Sequence, residues 1–162
     1  MFTPFQPAAL RTLVQNTLNP LGIWSADAEE LLLATCAQES LFGTYRTQGG
    51  GGPARGIFQM EGGDFNDIWK NYEAYHPAQA TAVKALNGGN VGTVDDLVNN
   101  DPYAVALARV HYQRCPRALP SNTDLNALWM YYKVNYNSVN GAATISQFYR
   151  NYHKYVTDGT AS

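Results

Sequence analysis

Charged residues are scarce in this chain, and neither sign dominates. They make up 15% of the 162 residues, and the formal net charge is −2 at pH 7. A nucleic-acid-binding domain carries a basic face, so this balance argues against that class. Hydrophobic residues make up 45%, which is typical of a globular domain and not of a disordered chain. We therefore expect one folded domain over residues 1–162.

Cysteine is nearly absent, and the histidines are scattered. Two cysteines, Cys36 and Cys115, are too few for a disulfide framework. Two reduced thiols are the simplest interpretation, and a single bridge between them is the alternative. His76, His111 and His153 are isolated and show no metal-ligand spacing. The sequence therefore predicts no metal site and no cofactor.

Long apolar runs are absent as well. No stretch approaches the roughly 20 apolar residues that a membrane-spanning helix needs, so no membrane span is expected. The segment 1–5 lacks the basic start and the apolar core of a secretory signal peptide. The sequence thus predicts neither a membrane span nor a signal peptide.

The most informative helical pattern ends at Glu39. Ser25 is a good N-cap, and the periodicity predicts a helix over residues 25–42. Four residues precede Glu39 on its own helix face, and this face is predicted to point inwards: Ala28, Leu32, Thr35 and Cys36. A carboxyl on the inward face of such a helix loses water, which raises its pKa and suits it to general acid catalysis. The alternative is a solvent-exposed glutamate at the end of the helix.

A glycine tract and a compact turn follow this helix. The four glycines of residues 49–52 cannot continue a helix and let the chain return towards Glu39. In the turn 56–59, Gly56 permits close backbone approach, and the two large hydrophobes after it can anchor the turn. Gln59 then presents one acceptor and two donors at a fixed place. The alternative is a flexible surface loop with an ordinary buried anchor.

These residues resemble the motifs of soluble lytic transglycosylases and goose-type lysozymes. That superfamily has Glu-Ser at a helix end, here Glu39-Ser40, and a Gly-Leu-Met-Gln-like turn about seventeen residues later, here 56–60. Its third motif, Ala-Tyr-Asn-Ala-Gly, is matched here at Tyr136 and Asn137. The leading alanine is replaced by Asn135, and the Gly-Pro-Gly that usually follows is missing. The resemblance spans about residues 30–141.

The resemblance implies a fold, a substrate and a set of site residues. The expected fold is mainly α, of the α+β lysozyme-like class, with a small β or loop lobe beside a glycan-binding cleft. The expected substrate is peptidoglycan, cleaved at the β-1,4 bond between N-acetylmuramic acid and N-acetylglucosamine. Glu39 is the expected acid and then base. Four residues are expected to hold the glycan or to orient Glu39: Ser40, Gln59, Tyr136 and Asn137.

A second carboxylate would change the product. Lytic transglycosylases leave a 1,6-anhydro end, whereas hydrolysis usually needs another carboxylate to activate water or to act as the nucleophile. Glu61 and Asp64 are the candidates, although neither has an apolar context like that of Glu39. The alternatives are a hydrolytic muramidase or chitinase on the same fold, and a non-catalytic structural or glycan-binding phage particle component.

A wall-degrading enzyme must also reach its substrate. Because the sequence predicts no signal peptide, we expect delivery to the periplasm and cell wall by another route. A phage-encoded enzyme, carried in the virion or released at host lysis, fits this expectation. Its partners would be peptidoglycan strands and other phage particle proteins.

Overall fold

A computed structural model describes residues 1–159 and shows a mainly helical chain, as the sequence predicts. Only the first part of the polar tail expected at 157–162 falls within this range, and residues 160–162 lie outside the described part. Seven α-helices follow one another along the described chain: α1 (Pro7–Leu18), α2 (Ala26–Ser40), α3 (Gly62–Asn71), α4 (Pro77–Ala85), α5 (Asp101–Gln113), α6 (Leu125–Tyr132) and α7 (Ile145–Tyr152).

Helix α2 is the centre of the fold. It packs against α1, α5, α6 and α7, and every residue from Ala28 to Ala37 is buried. Ser25 caps its start, because the Ser25 hydroxyl accepts a hydrogen bond from the Ala28 amide at 3.0 Å. A helix surrounded in this way is apolar on most of its circumference, so its C-terminal end is carried into the interior.

Several helix boundaries differ from the expected ones. The sequence Gly62-Gly63-Asp64 predicts a break followed by an N-cap at Asp64, but both glycines are helical and Asp64 lies inside the first turn of α3. The sequence also predicts N-caps at Asp101 for α5 and at Thr123 for α6, but the side chains of Asn100 and Asp124 cap these helices. These two differences are of one residue, because polar residues with capping ability stand next to each other.

The expected small β or loop lobe is a loop. Between α2 and α3 the chain forms only two isolated antiparallel bridges, Thr47 with Arg55 and Arg55 with Met60. The glycine tract makes one exposed 3₁₀ turn, Gly49–Gly51. Arg46 secures the start of this loop through a bidentate ion pair with Asp101 on α5. The loop is therefore held by isolated backbone hydrogen bonds and by side-chain contacts, and not by a sheet.

Two helices continue as π-helical turns, Lys133–Asn137 after α6 and His153–Thr157 after α7. In each, a backbone hydrogen bond spans five residues instead of four, which widens the helix and shifts the following side chains. The sequence predicts a last helix that starts near Gly141, but α7 starts at Ile145, capped by the Thr144 side chain. The first of these π-turns carries Tyr136 and Asn137, the two residues that match the third motif.

Two further expectations concern cysteine and the membrane. Cys36 and Cys115 are both free thiols, and burial raises the pKa of Cys36 to about 12. The pair is therefore not bridged. Within residues 1–159, no helix is both long and apolar enough to cross a bilayer.

Candidate active site

Glu39 occupies the last turn of α2, on the buried face that its sequence pattern predicts. Glu39 itself is only partly exposed. The four residues that precede it on this face are almost inaccessible: Ala28, Leu32, Thr35 and Cys36. The carboxyl therefore lies at the boundary between the core and a cavity that it lines. The alternative of a fully exposed helix-end glutamate is excluded.

The pKa of Glu39 is raised to about 7. Burial is the main cause, because it removes water from the charged form, and the negative charge of Glu61 adds to the effect. A hydrogen bond from Tyr132 acts in the opposite direction. At neutral pH a substantial fraction of Glu39 is therefore protonated and able to give up a proton, which is what a general acid requires.

Tyr132 is a site residue that sequence reasoning missed. It ends α6, is fully buried, and its hydroxyl donates a hydrogen bond to the Glu39 carboxyl at 2.5 Å. Its position four residues before Tyr136 is the signal that was available, because residues i and i+4 of a helix share a face.

The turn that follows the glycine tract is shaped by Gly56. This residue has φ of +74°, and a Cβ added to it would lie 2.8 Å from the Leu97 carbonyl oxygen. Only glycine fits there, as the sequence predicts. Ile57 and Phe58 are fully buried, so they anchor the turn in the core. Gln59 follows with a positive φ of 47°, which is uncommon for a residue with a side chain.

Ser40 is one of the four residues expected to hold the glycan or to orient Glu39. Its side chain is completely buried, so it has no surface to offer a glycan. The Ser40 hydroxyl instead donates to the Ile57 carbonyl at 2.6 Å and accepts from the Gly43 amide at 2.8 Å. It therefore joins the end of α2 to the turn, and its role is positional.

The abrupt end of α2 explains why Ser40 faces inwards. Leu41 and Phe42 both have positive φ, 49° and 62°, and they reverse the chain directly after Ser40. Two consecutive left-handed residues with side chains are costly and persist only where the surrounding structure holds them. Here Phe42 is fully buried, and its carbonyl accepts a hydrogen bond from the Phe5 amide.

Tyr136 holds the same turn from the other side. Its hydroxyl donates to the Phe58 carbonyl at 2.8 Å, and its ring packs against Tyr132 and His111. The Ile57 and Phe58 carbonyls thus accept hydrogen bonds from Ser40 and Tyr136 respectively. The Glu-Ser motif and the Tyr-Asn motif both contact the turn in this way, which fixes Gln59 relative to Glu39.

Six of the seven candidate residues line one cavity with a volume of about 210 Å³. Gln59 donates from Nε2 to the Gly56 carbonyl at 2.9 Å, which leaves its amide oxygen towards the cavity. Asn137 accepts at Oδ1 from the Lys133 ammonium at 2.8 Å, which leaves its amide nitrogen as a donor. The six are Glu39, Gln59, Glu61, Asp64, Tyr136 and Asn137, and Met60 completes the lining.

The two additional carboxylates differ in their partners. Asp64 has a side chain that is 49% exposed and lies 3.6 Å from Nη2 of Arg114. Glu61 is exposed, and its side chain makes no hydrogen bond or ion pair within residues 1–159. Of the two, Glu61 is therefore the one whose oxygens are free to direct a water molecule in the cavity.

The site has the composition of a polar cleft for acid–base chemistry. Among residues 1–159, no three histidine, cysteine or acidic side chains are grouped so that they could hold a metal ion. The cavity combines one carboxyl of raised pKa with amide donors and acceptors. The chain has no significant match to a protein-family model, to a curated protein sequence or to a solved structure.

Proposed function

We propose that this protein is a peptidoglycan-cleaving lytic transglycosylase. The observation that carries the proposal is Glu39, a carboxyl with a pKa near 7 at the wall of a polar cavity, with Gln59 and Asn137 beside it. The bond cleaved is the β-1,4 linkage between N-acetylmuramic acid and N-acetylglucosamine. This assignment places the activity at the bacterial cell wall, where that polymer is found.

One acid can complete the proposed reaction. Glu39 donates its proton to the glycosidic oxygen as the bond to the anomeric carbon breaks. The 6-hydroxyl of the muramic acid residue then attacks the anomeric carbon, and Glu39 accepts the proton of that hydroxyl. A 1,6-anhydro end forms, no water is consumed, and Glu39 returns to its acid form.

Neighbouring residues support both steps. The Tyr132 hydroxyl donates to the carboxyl at 2.5 Å, so it stabilises the carboxylate that forms when the proton leaves. Gln59 and Asn137 present an amide oxygen and an amide nitrogen that suit sugar hydroxyl and acetamido groups. Ser40 and Tyr136 keep these groups in place by holding the turn.

The proposal includes a fold relationship. We place the chain in the lysozyme-like class, in which the acid ends a central helix and a small lobe forms the facing wall of the cleft. The loop between α2 and α3, with its two isolated bridges, would be that lobe. The convergence of three sequence motifs on one cavity supports this assignment.

A hydrolytic muramidase or chitinase is the second candidate, and Glu61 favours it. This carboxylate lines the same cavity as Glu39 and has no protein partner within residues 1–159. It is therefore available to activate water on the far side of the sugar ring. Such an enzyme would share the acid and differ in the product.

Purified peptidoglycan tests the proposal directly. We expect the protein to release soluble fragments, and Glu39→Gln to lower the rate by at least about a hundredfold while the fold is retained. Asp158→Asn is a suitable control, because Asp158 is exposed and does not line the cavity. Near-normal release by Glu39→Gln would remove Glu39 from the mechanism. No release by the unmodified protein would exclude both enzymes and leave a non-catalytic glycan-binding or particle protein.

A further inference from the structure

A second polar cavity, of about 240 Å³, lies between α5, α6 and the loop after α5. It shares no lining residue with the cavity of Glu39. No aspartate or glutamate lines it, although two arginines do. Its polar side chains are Tyr72, Arg109, Gln113, Arg117 and Tyr131, with the Tyr112 ring behind them.

The two arginines lack the partners that most arginines of this chain have. Four of the seven arginines form ion pairs within residues 1–159: Arg11, Arg46, Arg55 and Arg114. Arg109 and Arg117 do not, and both line this cavity. Arg150 also has no ion pair in that range, but it lies elsewhere, on α7. Two of the three arginines without an ion pair in that range therefore lie together at this cavity.

Arg109 is the more constrained of the two. Its Nε donates to the Ile23 carbonyl at 2.9 Å, which fixes the guanidinium plane and leaves the Nη groups towards the cavity. Burial lowers the pKa of Arg109, because the cation has lost water without gaining a negative neighbour. A partly buried cation of this kind is stabilised when an anion enters.

The other polar groups are donors or neutral. Oε1 of Gln113 accepts from Gln79 at 3.0 Å, which leaves the Gln113 amide nitrogen to donate into the cavity. Burial raises the pKa of Tyr72 and of Tyr131, so both phenols keep their protons. The buried carboxyl of Glu73 accepts from Gln79 and pairs with neither arginine.

We propose that this cavity binds a small oxyanion, a carboxylate or a phosphate group, between Arg109 and Arg117. A guanidinium presents two parallel N–H donors that match the paired oxygens of such groups. The Gln113 amide and the Tyr72 hydroxyl supply further donors, and no protein carboxylate repels the ligand. The cavity is smaller than the usual pocket for a drug-sized molecule, so it suits a small anion or the charged end of a larger one.

An NMR titration at constant ionic strength tests the proposal. The test ligands are inorganic phosphate and N-acetylalanine, and N-acetylalaninamide is the uncharged control for the second. We expect saturable shifts of the Gln113 side-chain amide with at least one anion and none with the amide. Saturation with phosphate alone or with N-acetylalanine alone would identify which oxyanion the site takes.

Three arginine variants make the result specific. Arg109→Gln and Arg117→Gln should weaken anion binding by about tenfold or more, since each removes a charged hydrogen-bonding partner. Arg150→Gln removes an equally unpaired arginine outside the cavity and should leave the affinity unchanged. Should Arg109→Gln fail to fold, Arg117→Gln, on the exposed loop, decides the test.

Three results would overturn the inference. The first is the lack of any saturable shift at anion concentrations up to about 10 mM, because the dissociation constant would then lie above that concentration. The second is equal weakening by Arg150→Gln and by the two cavity variants, which would indicate general charge attraction. The third is binding of N-acetylalaninamide as tight as that of N-acetylalanine, which would mean that the negative charge is not recognised.

Discussion

The Tyr132 hydroxyl and the Glu39 carboxyl form a buried hydrogen bond of 2.5 Å between the ends of α6 and α2. Burial favours the protonated carboxyl, and this bond favours the carboxylate. The two effects leave the pKa of Glu39 at about 7. Tyr132 therefore tunes the acid, and its ring is held by packing against Phe148 and Tyr136.

The first prediction concerns this tuning. Tyr132→Phe removes the bond that stabilises the carboxylate, so the pKa of Glu39 should rise further. The fall of activity on the alkaline side, where Glu39 loses its proton, should then move up by roughly one pH unit. Turnover should drop by about tenfold, because the carboxylate formed during proton transfer is less stable. A rate–pH profile on peptidoglycan measures both.

Tyr152→Phe is the matched control for that experiment. Tyr152 also donates from its hydroxyl to a glutamate, Glu30, but this pair does not line the cavity. Its removal should leave the rate–pH profile in place even where the free energy of unfolding falls. An unmoved profile in Tyr132→Phe, or the same movement in both variants, would show that Tyr132 does not set the pKa of Glu39.

The second prediction links Glu39 to stability. Its pKa is raised on folding, so the folded state holds the proton more tightly than the unfolded chain. The resulting stabilisation is complete below the unfolded pKa of about 4.5 and is lost as the pH rises through about 7. The rise of the Glu39 pKa from 4.5 to about 7 corresponds to about 3 kcal/mol of unfolding free energy.

Glu39→Gln removes this dependence. The variant should gain in unfolding free energy relative to the unmodified protein as the pH rises, and the gain should level off above about pH 8. Urea unfolding at a series of pH values measures the difference in unfolding free energy between the variant and the unmodified protein. The titration of all other groups cancels in this difference. A difference that is constant between about pH 4 and pH 8 would mean that the pKa of Glu39 is not raised.

Much of the site could be predicted from the sequence, because its main parts are local. The inward face of α2 follows from helical spacing, and the turn follows from Gly56 and the two hydrophobes after it. The burial of Ser40 could not be predicted. It depends on two consecutive left-handed residues, Leu41 and Phe42, and neither residue type favours that conformation.

The role of Tyr132 was hidden for a different reason. The spacing to Tyr136 places the two tyrosines on one helix face, but the bond to Glu39 depends on where α6 docks against α2, and no local pattern encodes that long-range packing. The π-turn after α6 adds to the difficulty, since it shifts the faces on which Tyr136 and Asn137 lie. The Lys133 ammonium then binds the Asn137 side chain and the carbonyls of Gly141 and Ala143, which fixes a loop that lacks the usual Gly-Pro-Gly.

The third prediction concerns Tyr136. Its hydroxyl bonds the Phe58 carbonyl, so Tyr136→Phe leaves a buried carbonyl without its donor and should cost about 1–3 kcal/mol of unfolding free energy. The loosened turn should raise KM through Gln59, whereas the rate–pH profile should keep its position. Steady-state kinetics and urea unfolding measure these effects.

Tyr149→Phe serves as the control, because the Tyr149 hydroxyl forms no hydrogen bond within residues 1–159. It should be nearly silent in both measurements. If Tyr136→Phe were equally silent, the hydroxyl would contribute only packing. If it moved the rate–pH profile as Tyr132→Phe does, Tyr136 would act on Glu39 directly.

The last prediction concerns the product, and it depends on the balance between Glu39 and Glu61. Both line the cavity, and the charge of Glu61 helps to raise the pKa of Glu39. A transglycosylase needs only Glu39, because the muramic acid 6-hydroxyl is the nucleophile. A hydrolase needs a second carboxylate that positions water, and Glu61 is free to do so, whereas Asp64 lies beside Arg114.

Digestion of peptidoglycan in oxygen-18-labelled water separates the two routes. We expect fragments with 1,6-anhydro ends and no incorporated label, because water does not enter the proposed reaction. Glu61→Gln should then retain most of the rate, apart from the change that follows from a somewhat lower pKa of Glu39 once the neighbouring charge is gone. Labelled reducing ends, together with a loss of about a hundredfold in Glu61→Gln, would identify a hydrolase in which Glu61 activates the water.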